Sequence, residues 1–106
     1  MIKAKFFHSD GVPSGFQISG HAGYGISGED IVCASVSSAA YMVANTITEV
    51  MGVAADITVN ESGSMALKVP EANAHTTKDI LLGFELHISE LSKQYPKNVT
   101  ITTTEV

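Results

Sequence analysis

Two side chains in this sequence have the types and the spacing for covalent chemistry on a carbonyl. Cys33 is the single cysteine of the chain, and His21 lies twelve residues upstream of it. A thiol attacks carbonyls as the thiolate, which needs positive potential and hydrogen-bond donors near the sulfur. An imidazole within reach takes the thiol proton, holds the ion pair and later protonates a leaving amine. His21 stands in Gly20-His21-Ala22-Gly23, where small neighbours let the backbone turn sharply and leave the ring unobstructed. The other histidines read as surface or half-buried residues: His8 at a strand end, His75 at a helix start, and His87 on the flank of a helical stripe. No pair of histidine or cysteine has the spacing of a zinc site, so no metal and no cofactor is expected. The glycine-rich stretch lacks the lysine and serine of a phosphate-binding loop.

The elements around these two residues decide whether they can act. From Gly20 to Gly28 the chain holds Gly20, Gly23, Gly25 and Gly28, with His21 and Tyr24 between them. This reads as a flexible loop over the site. Asp30 is a suitable N-cap, which predicts a helix beginning at Ile31 with Cys33 as its third residue. In that first turn the macrodipole and unpaired N–H groups favour a thiolate, and the Cys33 N–H becomes a candidate oxyanion donor. Asp30 is also a possible orienting carboxylate, but capping is the favoured reading. Val32, Val36, Ala39, Val43, Ile47 and Val50 form the predicted apolar stripe, and Gly52 ends the helix. Cys33 falls about 75° off the centre of that stripe, at the rim of the core, where solvent can reach it. The bland alternative is that a lone cysteine serves as a small buried hydrophobe.

Ile2–His8 and Phe16–Ser19 read as two strands joined by a rather long turn-rich loop. Ala55–Asn60 and Ser64–Val69 form a second hairpin, a helix spans about Ala74–Tyr95, and Asn98–Thr103 is a final strand. The order β-β-α-β-β-α-β predicts one domain over residues 1–106: an α/β (α+β) two-layer sandwich with a mixed sheet of about five strands and two helices. Apolar residues are 44% of the chain and charged residues 16%, which is globular composition. The N-terminus has no signal-peptide pattern, no apolar run of membrane-spanning length is expected, and a lone cysteine suits a reducing, cytoplasmic setting. The net charge of −5 argues against direct nucleic-acid binding and favours a basic partner.

The stretch Gly20-His21-Ala22-Gly23-Tyr24, a short loop, then Gly28-Glu29-Asp30-Ile31-Val32-Cys33-Ala34-Ser35-Val36-Ser37, closely resembles the signature of the bacterial ribosomal-processing cysteine proteases. The chain matches that family in length and element order. Gly25 stands where the family often has alanine. The resemblance implies a catalytic dyad of His21 and Cys33 and a homodimer with a mobile loop over the site. It further implies a substrate: the N-terminal extension of the twenty-seventh large-subunit ribosomal protein, cut beside a phenylalanine-containing segment. Two other readings keep the same fold, a non-catalytic ribosome-assembly factor and a thiol redox sensor. Both His21 and Cys33 are present, against the first, and no resolving cysteine exists for an internal disulfide, against the second.

Overall fold

The computed structural model describes residues 1–20, 27–61 and 63–106, with residues 27–30 by their backbone only. Alternation drives the first two strands, β1 (Ile2–Ser9) and β2 (Val12–Ser19). Ile2, Ala4 and Phe6 are buried on one side of β1 while Lys3 and Lys5 face solvent on the other. The connection is shorter than the sequence reading expects. Both strands run up to a two-residue turn in which Asp10 and Gly11 have φ of 53° and 76°. Asp-Gly is the dipeptide that tolerates this primed turn, and the turn's twist matches that of the flanking strands. The register shifts between Phe7 and His8: Pro13 pairs with His8 and the bulge skips Ser14, an irregularity beside which proline is tolerated.

The helix α1 (Ser27–Asn45) follows, then a π-helical turn over Thr46–Val50. Val32, Val36, Ala40, Val43, Ala44 and Ile47 are buried on the sheet side. Val50 departs from the predicted stripe and is 80% exposed. The cause is the wider turn, in which the Met51 N–H reaches the Thr46 carbonyl five residues back (2.8 Å) and rotates Val50 away from the core. Gly52, with φ of 70°, reverses the chain so that the Val53 N–H bonds the Ile47 carbonyl and Val53 is buried. The segment Ile31–Val50 is long and apolar enough by composition to cross a bilayer, contrary to the sequence expectation. Its buried side packs on the sheet, as a core helix requires.

Strands β3 (Asp56–Val59) and β4 (Met65–Lys68) form the second hairpin. A short 3₁₀ turn over Glu71–Asn73 precedes α2 (Lys78–Gln94), and β5 (Val99–Glu105) closes the fold. α2 begins four residues later than the apolar pattern predicts. Thr77 is buried and its hydroxyl donates to the Asn73 carbonyl (3.2 Å), so 74–77 form turns and the helix starts after it. The sheet order is β3-β4-β2-β1-β5, with β1 and β5 parallel and every other pair antiparallel. This is the expected two-layer, five-stranded mixed sheet with both helices on one face.

Three rings hold the layers together. Phe84 of α2 meets Phe16 edge-on at 4.8 Å and Phe6 at 5.5 Å, each at 70° between ring planes. Beside them, His8 Nε2 donates to Glu85 Oε1 at 2.9 Å and ties β1 to α2. Phe84→Ala would remove the ring common to both edge contacts and leave a cavity. It is expected to cost about 3–5 kcal/mol, read as a lower urea midpoint with an unchanged slope.

Candidate active site

Cys33 belongs to α1 and is half-buried between two fully covered neighbours on that helix, Val32 and Val36. Those two valines are inserted into the core, which sets the rotation of α1 about its axis. Cys33 is carried to the edge of the buried stripe, packed against the core on one side. The sulfur therefore sits at the rim, where the sequence reading puts it.

Its place along the helix is different. α1 begins at Ser27, so Asp30 is the fourth helical residue rather than the cap, and Cys33 is the seventh rather than the third. Ser27 with Asp30 three residues on has the spacing of a capping box, a sequence signal for the earlier start. Two corrections follow. The helix field falls off within the first turn, so at the seventh position it no longer accounts for a thiolate. A helix running from Ser27 also directs the Cys33 N–H to the Glu29 carbonyl four residues back, which removes it from the candidate oxyanion donors.

Gly20 follows β2 directly with φ of 86°, and a side chain there would collide with the Met1 carbonyl oxygen. Glycine is required at this position by backbone conformation and by close approach to the N-terminal strand, not by flexibility. Gly28 lies within α1, so the last two residues of the expected loop, Ser27 and Gly28, are helical. His21, Gly23, Tyr24 and Gly25 lie outside the described residues. The structure thus frames the candidate dyad on two sides: β2 ends two residues before His21, and α1 carries Cys33. Among the described residues no three of His, Cys, Asp and Glu converge as metal ligands.

Comparison with known proteins agrees with this architecture. The family described as Cysteine protease Prp matches residues 1–100. The ribosomal processing cysteine protease Prp of Bacillus subtilis (strain 168) is 26% identical over 101 residues, covering 91% of this chain and 89% of that protein. SMU.848 from Streptococcus mutans superposes with a TM-score of 0.90 at 25% identity, over 100% of this chain and 96% of that one. The essential ribosomal processing protease Prp from S. aureus, solved in complex with a substrate peptide, superposes with a TM-score of 0.87. It is 23% identical, over 97% of this chain and 99% of that one. With the family matched across nearly the whole chain and the single cysteine set at the rim of the core, the chain belongs to the Prp family of cysteine proteases.

Proposed function

We propose that this protein is an endopeptidase that removes the N-terminal extension of the twenty-seventh large-subunit ribosomal protein, with Cys33 as nucleophile and His21 as its base. The observation that carries the reading is the family match over residues 1–100, in a chain whose one cysteine is half-buried at the edge of the helix stripe. The Bacillus subtilis relative is a ribosomal processing protease, and the S. aureus relative binds a substrate peptide. A basic ribosomal substrate also suits a chain of net charge −5, in the cytoplasm where ribosomes are assembled.

The reaction needs no cofactor. The Cys33 thiol passes its proton to His21, and the thiolate attacks the scissile carbonyl. The tetrahedral adduct collapses to a thioester as the imidazolium protonates the departing amine. Water, deprotonated by His21, then hydrolyses the thioester and restores the thiol. With Cys33 beyond the first helical turn, the imidazole carries the activation of the thiol, and the oxyanion takes its donors from outside the α1 ladder.

The outer side of α1 fits a homodimer. Ile31, Tyr41 and Met42 are exposed there, at 63%, 47% and 58%. No charged side chain occurs between Asp30 and Glu49, so two copies can meet on this helix without like-charge repulsion.

Three measurements test these points. Incubation with a peptide spanning the extension, followed by intact-mass analysis, should show one cut in wild type and none in Cys33→Ala. Cys33→Ser should be nearly inactive, since a site built for a thiolate does not activate a hydroxyl. An uncut extension peptide alongside cleavage of unrelated sequences would refute the substrate assignment. Alkylation of wild type by iodoacetamide should proceed well below the pH of a free thiol, whose pKa is about 8.5. His21→Ala should return the whole profile to the free-thiol range, because no helix-end contribution remains to hold part of it. Sedimentation equilibrium at micromolar concentration should give a dimer, and Met42→Lys should shift it to monomer. A wild-type monomer would sink the dimer.

A further inference from the structure

The charges of this protein are divided between its two layers. All six basic residues are lysines, and three of them, Lys3, Lys5 and Lys68, are exposed on the face of the sheet that no helix covers. Asp56, beside Lys68, is the one acidic side chain among the strand residues of that face. Among the described residues, none of the three lysines lies within ion-pair distance of a carboxylate. The helix layer has the opposite balance, with Glu49, Asp79, Glu85 and Glu90 against Lys78 and Lys93. The net charge of −5, which as a whole-chain figure argues against nucleic-acid binding, is therefore not shared by this face, which is locally cationic.

The platform has a second feature. Along β1, Lys3, Lys5 and Phe7 point the same way, spaced about 7 Å apart by the strand repeat. The two lysines share a shallow hollow with Gln17, Thr100 and Thr102. Phe7 is half-buried at the edge of an apolar groove of about 430 Å³. Its cross-strand neighbour is Gly15, where any side chain would strike the Leu67 carbonyl oxygen. The groove floor beside the ring is therefore held bare, by Gly15 and the small Ala66.

From this placement we infer that the open face of the sheet binds single-stranded RNA, with phosphates on Lys3 and Lys5 and a base against Phe7 over the Gly15–Ala66 floor. Single strands are held by cations that follow the backbone and by aromatic faces that stack bases, and an exposed sheet presents both in register. The threonine hydroxyls and the Gln17 amide beside the lysines supply partners for 2′-hydroxyls, which favours RNA over DNA. Cys33 lies in the opposite layer, so this site is independent of the protease reading. It can be occupied while a peptide is cut.

Fluorescence anisotropy of the full chain with a short mixed-sequence oligoribonucleotide at about 50 mM salt tests the site. Wild type should bind at micromolar concentrations. Lys3→Gln/Lys5→Gln should weaken binding at least fivefold and flatten the dependence on salt. Phe7→Leu, which keeps an apolar side chain but removes the ring, should weaken binding severalfold while the salt slope stays the same. The control Lys93→Gln/Lys97→Gln removes the same charge elsewhere and should bind as wild type does. All these variants should cut the extension peptide at the wild-type rate. Absence of binding at hundreds of micromolar protein, or equal weakening in the control, would overturn the inference. So would equal affinity for the DNA of the same sequence, or displacement of RNA by a polyglutamate peptide at lower concentration than by unlabelled RNA.

Discussion

The seating of α1 on the sheet is the constraint on which the rest of this structure depends. Val32, Val36, Val43 and Ile47 are each 2% exposed or less. Each such side chain contributes about 1.5–3 kcal/mol on burial, which together outweighs any other orientation of the helix. The same seating decides where Cys33 points. A residue next to a fully buried valine at helical spacing must lie at the border of the stripe. There a sulfur keeps one side against the core and is only half-buried. The nucleophile proposed above is thus positioned by the hydrocarbon packing of α1.

The helix start is the feature with the largest chemical consequence. Because α1 begins at Ser27, the N-terminal field lies nearly two turns from Cys33, and in the mechanism proposed above the activation of the thiol falls to the imidazole instead. At the other side of the gap, Gly20 is pinned by its positive φ and by its approach to Met1. The chain therefore leaves β2 from a rigid point one residue before His21.

The sheet divides the molecule into two surfaces of different character. Helices cover one face and bring with them the cysteine and most of the acidic groups. The other face is bare because two helices are all that the chain supplies, and a single helical layer covers a five-stranded sheet once. That face keeps three lysines and a half-buried phenylalanine in contact with solvent. Polarity of this kind arises from strand alternation, since Lys3, Lys5 and Phe7 occupy every second position of a strand whose other side is core.

Much of this was legible in the residues themselves. Period-two and period-3.6 patterns identify all five strands and both helices, and the signature around His21 and Cys33 identifies the family. Asp10-Gly11 also specifies its tight turn, although the Ser-Pro-Gly composition around it suggests a longer loop. Other features were decided only in the folded chain. The π-turn that exposes Val50 follows from how the end of the helix meets the Gly52 reversal and the burial of Val53. The late start of α2 goes with the full burial of Thr77, whose hydroxyl donates to the Asn73 carbonyl four residues back. The bare groove beside Phe7 exists because β2 and β4 approach closely at Gly15, a distance set by strand pairing across fifty residues. Local pattern specifies which residues form an element and which side they bury. Where that element begins, and what its open side faces, depends on partners distant in sequence, because the energies that decide them arise only on packing.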